Sequence, residues 1–253
     1  MKSLKRSFFA PVAVLALGAV STQAQAGYTT VDLSSVVNEG FTNAWFINGG
    51  DFSGLDGTTS TGNQGSSIPF YVANPSDGNG NTNNFWYGLY SGPGTLSGPP
   101  GNFTINVAGA GTSTVYTLID NTFGTTSAQE YSVTFTGTGG SITDNYVGGN
   151  NTKDYNLNCG TTGCLSTPNA SYWFIDPNSS SQWLQVTSWS LPANFGLQSI
   201  SFNQLNGSDG AIVAGITLGT AAVPEPASWV LMLTGFGLAG VALRQRGRTQ
   251  RTA

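Results

Sequence analysis

Residues 130–137 read EYSVTFTG, with Tyr131, Val133 and Phe135 alternating with Ser132, Thr134 and Thr136. Alternation at period two belongs to a β-strand with one buried and one wet face. A helix would space its apolar residues three and four apart. The pattern recurs in NFTINVA (102–108), where Phe103, Ile105 and Val107 alternate with Thr104 and Asn106. It recurs less regularly in LQSISFN (197–203) around Leu197, Ile200 and Phe202. Further strand candidates are YTTVDLSSVV (28–37), NAWFI (43–47), IPFYVA (68–73), TVYTLI (114–119), SYWFI (171–175), WLQVTSW (183–189) and AIVAGITL (211–218). Between them lie Gly, Asn, Asp, Ser, Thr and Pro, the residues that turns favour. No part of 27–222 carries sustained helical periodicity. Many short strands joined by turns predict an all-β domain over 27–222. The expected form is an antiparallel β-sandwich. Residues 48–67, 74–84 and 91–102 read as long loops, and sandwich-end loops are where binding sites are built.

The charge is unevenly placed. The chain has 253 residues, 8 Lys+Arg, 12 Asp+Glu and no His. Lys153 is the sole base between 27 and 222, whereas Glu225 is the sole acid after 222, so the body carries about −10. That charge keeps it soluble and argues against nucleic acid or an anionic membrane surface as partner. With so few ion pairs to form, stability must come from burial and backbone hydrogen bonding. About 196 residues suffice for one core, and recurring Trp, Tyr, Phe, Val and Ile argue against disorder.

Both ends are specialised. Residues 1–26 carry Lys2, Lys5 and Arg6, an apolar run from Phe8 to Val20, and Ala24-Gln25-Ala26. This is the three-part layout of a secretory signal peptide, with cleavage by signal peptidase expected after Ala26 and Ala24 the alternative. At the other end, Pro224-Glu225-Pro226 precedes an uncharged run from Trp229 to Leu243, and Arg244, Arg246, Arg248 and Arg251 follow. Fifteen helical residues span roughly 22 Å, short of a ~30 Å hydrocarbon core. Local thinning and snorkelling of Arg244 and Arg246 would let 229–243 span it as a short transmembrane helix. The arginines mark the cytoplasmic side, which leaves 27–222 outside the inner membrane.

Residues 223–248 resemble the PEP-CTERM sorting signal, with Pro224, Glu225 and Pro226 as the motif, Trp229 opening the anchor, and Arg244, Arg246 and Arg248 as the stop. The resemblance implies recognition and cleavage by exosortase, a membrane protease-transferase. It also implies transient insertion in the inner membrane of a Gram-negative bacterium that makes extracellular polysaccharide, and a final place at the cell surface or in the matrix. Separately, IPFYVA, VYTLIDNTFGT (115–125), YSVTFTGTGGS (131–141), KDYN (153–156) and the final LQSISFN…GAIVAGITL resemble jelly-roll domains of the galactose-binding type. Those domains accompany glycosidases and often bind sugars.

The chemistry available is limited. Without histidine there is no Ser-His-Asp triad, His metal site or His base. A carboxylate pair for glycoside hydrolysis stays open on composition, since Asp32, Glu39, Asp51, Asp56, Asp120, Glu130, Asp144, Asp154, Asp176 and Asp209 are available. Most of these sit in turns, where Asp closes loops. Cys159 and Cys164 bracket GTTG, and outside the cytoplasm the expectation is a disulfide, with free thiols the alternative. So small a ring contributes only about 2 kcal/mol. Asp77, Asn79 and Asn81 alternate like the start of a calcium loop, but Thr82 and Gly88 stand where an EF-hand needs Gly and Glu. A looser structural calcium site is the candidate there, against a plain polar loop, and no other cofactor is expected. Adjacent aromatics point to opposite faces of a strand. Trp86 and Tyr87 in NNFWYGLY, and Tyr172 and Trp173 in SYWFID, are therefore candidate sugar platforms, against the alternative that they fill the core.

The sequence thus reads as an exported, exosortase-processed, non-catalytic protein of the surface or matrix that associates with exopolysaccharide. The alternatives are a structural or adhesive matrix protein that binds no sugar, and a carboxylate-dependent glycoside hydrolase.

Overall fold

The three alternating stretches are strands in a computed structural model of the chain. It describes residues 27–40, 57–60, 68–73, 83–92, 98–122, 128–152, 172–175 and 183–220, and in the tail 232, 234–240 and 244. Among the described residues the strands are β1 (Gly27–Val31), β2 (Gly57–Ser60), β3 (Pro69–Val72), β4 (Trp86–Tyr87), β5 (Asn102–Gly109) and β6 (Thr112–Thr122). They continue as β7 (Gln129–Gly137), β8 (Gly140–Val147), β9 (Tyr172–Ile175), β10 (Trp183–Ser190), β11 (Leu197–Gln204) and β12 (Gly210–Thr220). β2 falls inside the stretch read as a loop, while NAWFI lies outside the described residues. Residues 26–221 form one compact unit.

Two antiparallel sheets make the sandwich. The first runs β1-β12-β6-β10-β9, and the second runs β5-β11-β7-β8. β4 joins the first sheet beside β1: β1 pairs with Ile216–Thr220 of β12 and β4 with Ile212 and Val213. Taken with β4, β1 is the first half of one broken strand. From there the chain crosses between sheets in the order of a jelly roll, with its first strand beside its last. A two-residue turn, Thr138-Gly139, joins β7 to β8, and Gly140 beyond it has φ +121°, which side chains rarely adopt.

The burial follows the sequence pattern. In β5, Phe103 is buried while Thr104 and Asn106 are exposed. In β12 nearly every residue is buried, as expected where an apolar run is covered on both sides. Ala211, Val213, Ile216 and Leu218 join the core between the sheets. Ile212 and Ala214 join a second cluster with Phe70, Val72, Leu118 and Val186 on the opposite side. A register shift between Val213 and Gly215 moves the inward set from odd to even positions. The β2–β3 hairpin supplies the outer cover, and the Thr217 hydroxyl donates to the Pro69 carbonyl.

Seven rings run through the sandwich interior. Trp86 meets Phe103 edge-on at 5.0 Å, Phe103 stacks on Phe202 at 5.2 Å, and Phe202 lies 6.4 Å from Tyr131. Tyr131 stacks on Tyr146 at 4.3 Å, Tyr146 meets Trp189 edge-on at 5.1 Å, and Trp189 lies 5.9 Å from Phe135. Such pairs contribute about 0.5–1.5 kcal/mol beyond their burial. The polar tips of Trp189 and Tyr146 are satisfied. Trp189 Nε1 donates to Tyr146 Oη at 3.1 Å, leaving the phenol proton for Thr117 Oγ1 at 3.0 Å.

Phe202 and Asn203 are neighbours on opposite faces of β11, one buried and one exposed. Phe202→Ala is expected to cost about 3–5 kcal/mol, and Asn203→Ala no more than about 0.5 kcal/mol. Urea unfolding measures both, and equal costs would contradict the register.

Candidate functional site

The sequence pointed first to aromatics. Trp86 and Tyr87 are 3% and 1% exposed, so neither presents a ring face to a ligand. The expectation of an outward ring fails here because β4 belongs to the sheet that is covered on both sides. Trp86 enters the core between the sheets and Tyr87 the outer cluster. The Tyr87 phenol meets Thr122 Oγ1 at 3.0 Å, and burial pushes it up to about 12. Asn38 clamps the same strand: its Oδ1 accepts from Tyr87 N–H at 2.7 Å and its Nδ2 donates to Tyr87 O at 3.1 Å. Tyr172 and Trp173 lie on β9, paired with β10, and their side chains lie outside the described residues. So do Asp77, Asn79 and Asn81, and Cys159 and Cys164.

A polar knot missed by the sequence reading closes one end of the sandwich. Pairing steps from Gln129↔Val147 to Tyr131↔Tyr146, so Glu130 is an extra residue at a bulge. It is fully buried, as are Asp120 and Asn121, with Asp209 at 1%. Asn206 Nδ2 donates to Glu130 Oε2 at 2.9 Å and to Asp209 Oδ2 at 3.1 Å. Asn206 Oδ1 accepts from the Asp209 N–H at 3.0 Å, the local bond that lets Asn close a turn. Gln204 Nε2 donates to the Glu130 and Asp209 carbonyls, and its Oε1 accepts from Ala211 N–H at 2.9 Å. One short loop thereby ties β7, β11 and β12 together.

The electrostatics follow from burial without a base. Desolvation pushes the Glu130 carboxyl up to about 7. The Asn206 hydrogen bond opposes this, and Asp209 alongside adds to it. The knot therefore takes a proton where another protein would place an arginine. Both carboxyls are closed from solvent, so neither meets a sugar in this conformation. Among the described residues no group of three or more His, Cys, Asp or Glu is arranged to hold a metal ion. Among the described residues the sandwich carries surface clefts. One, of about 490 Å³, lies between residues 110–113 and 192–196, and one of about 280 Å³ lies between residues 29–32 and 105–108. Among the described residues Asp32 is the only carboxylate lining either, and no tryptophan or tyrosine lines them.

The tail is a unit apart from the sandwich. Residues 232, 234–240 and 244 are helical and exposed, Met232, Phe236 and Leu238 at 59–72%. Apolar side chains displayed in this way mark a surface that meets lipid or protein. Among the described residues no helix is long and apolar enough to cross a membrane. The expected span 229–243 falls partly outside them, as do Pro224, Glu225, Pro226, Trp229, Arg246, Arg248 and the signal peptide 1–26. Arg244 is within the helix.

Residues 222–247 match the PEP-CTERM protein-sorting motif. The PEP-CTERM motif marks an exported protein of Gram-negative bacteria that exosortase processes. It covers the tail and leaves the sandwich unassigned. No curated protein matches the chain.

The knot carries a pH signature. An unfolded Glu130 titrates near 4.5 and the folded one near 7. Between those values the folded state holds a proton that the unfolded chain has lost, so this group's contribution to stability falls as pH rises through the window. Glu130→Gln mimics the protonated acid. Its melting temperature is expected to gain on the parent's from pH 5 to about pH 7 and to level off above that in thermal scans. Parallel pH profiles for the two proteins would contradict the buried, protonated carboxyl.

Proposed function

We propose that the chain is a non-catalytic protein of the cell surface or secreted matrix that associates with exopolysaccharide through its β-sandwich. The observation that carries this reading is the sorting motif at 222–247. Its resemblance class belongs to bacteria that build such a matrix. Three features of the body support the reading. It has no histidine for acid–base or nucleophilic work. It carries about −10 with a single base, which disfavours nucleic acid. Glu130 at the bulge and Asp209 beside it are buried and tied into the fold rather than exposed.

In this reading signal peptidase removes 1–26, and the tail holds the precursor in the inner membrane until exosortase cuts it. The jelly roll then reaches the surface. A Cys159–Cys164 disulfide would pin its loop there, and calcium at Asp77, Asn79 and Asn81 would order another. A structural or adhesive role without sugar is the second reading, favoured by the burial of Trp86 and Tyr87.

Replacing Pro224-Glu225-Pro226 by three alanines is expected to leave the precursor uncut in the inner membrane. The parent protein, once secreted, should lack Arg244 to Ala253 by intact-mass measurement. Secreted protein that still carries those residues would overturn the sorting step.

A further inference from the structure

The outer face of the second sheet is more regular than a solvated face requires. Its pairing sets side chains in rows across β5, β11, β7 and β8. The middle row is Thr104, Ser201, Thr134 and Thr143. The row above runs from Asn102 to Asn145 and the row below from Asn106 to Ser141, and every member of both is Asn, Ser or Thr. The twelve positions carry no charge and no aromatic ring, although the body has eleven carboxylates. At ordinary sheet spacings the field measures about 14 Å by 13 Å. Sheet surfaces usually carry lysine and glutamate, which also keep edges from pairing. Ser132 is buried, and the other eleven short side chains, half-buried or exposed, leave a low surface of donors and acceptors.

These groups are already oriented. Thr104 Oγ1 meets Ser201 Oγ at 2.8 Å, Thr134 Oγ1 meets Thr143 Oγ1 at 2.9 Å, and Thr136 Oγ1 meets Ser141 Oγ at 3.4 Å. Hydroxyls held across strands lose little freedom on meeting a ligand, and that lowers the cost of binding. A hydroxyl with one bond made still has capacity to accept or donate another.

We infer that this face docks an extended, electrically neutral polysaccharide. The inference rests on the exopolysaccharide reading above and names the face and the class of polymer. A flat field cannot enclose one sugar, but it can meet successive residues of a chain lying across it. Charge selects the polymer. An acidic polysaccharide would approach a body of about −10 and find no base among the twelve positions, whereas a neutral one meets only hydrogen-bonding groups. No aromatic platform is needed, consistent with Trp86 and Tyr87 standing in the core.

The test uses the mature secreted protein with insoluble cellulose and mannan as neutral probes and cross-linked alginate as the acidic one. The double variant Thr104→Glu, Thr143→Glu places two charges on exposed positions of the middle row. Ala193→Glu places one on an exposed loop elsewhere. The parent is expected to bind a neutral polymer and not alginate. The double variant should lose at least about tenfold in retention, roughly one decade of affinity, with an unchanged melting temperature, and Ala193→Glu should bind like the parent. A double variant that binds the neutral polymer fully would overturn the choice of face while leaving the polysaccharide reading standing. Equal retention on alginate would overturn the choice of a neutral polymer. If the parent binds none of the three, both readings fall. A double variant that instead loses self-association in sedimentation would assign the face to a second copy of the chain.

Discussion

Strand β12 is covered on both faces, and the rest of the sandwich is arranged to keep it so. One side meets the ring-lined core between the sheets, and the other meets Phe70, Val72 and Phe85. Each large apolar side chain so buried contributes on the order of 1.5–3 kcal/mol. In a body with Lys153 as its only base, ion pairing cannot substitute for this. The constraint reaches outward. It requires the β2–β3 hairpin as a lid, and it places Tyr87 against the lidded face. With no base beside it among the described residues, the Glu130 carboxyl at the β7 bulge is pushed up by burial and held by the Asn206 amide. Gly210 illustrates how tight the fit is, since a Cβ there would run into the Tyr87 ring.

Much of the fold was legible because one physical signal dominates it. EYSVTFTG and NFTINVA sit in a sheet with one wet face, so their alternation survives intact. AIVAGITL has lost its alternation because both faces are dry. β8 was not legible. Its inward positions include Ile142 and Tyr146 but also the exposed Asp144, because an edge strand leaves part of its inner side at the rim. β2, spelled GTTS, carries no apolar residue to betray it. The site was read less well, for a related reason. Adjacent aromatics suggest an outward ring only if the strand has a wet face, and local sequence around Trp86 does not reveal the hairpin that dries it. Glu130 is ordinary in sequence and unusual in structure through a bulge whose partner lies on β8.

The two halves of the account rest on different kinds of information. The tail is a short address read by membrane machinery, and its motif is compact enough to recognise directly. The sandwich is a scaffold, and its topology is shared by domains of many functions. What distinguishes this one is the pairing of a core rich in rings with an outer face of uncharged, short polar side chains. The first gives stability by burial, which salt does not screen. The second leaves the face free of fixed charge.

Amide hydrogen exchange of the folded mature protein tests the central dependence on β12 most directly. Amides of β12 and of its neighbour β6 are expected to exchange last, opening only with global unfolding, while those of β8 at the sheet edge exchange sooner. Exchange of β12 amides as fast as those of β8, in a protein that otherwise stays folded, would contradict the account.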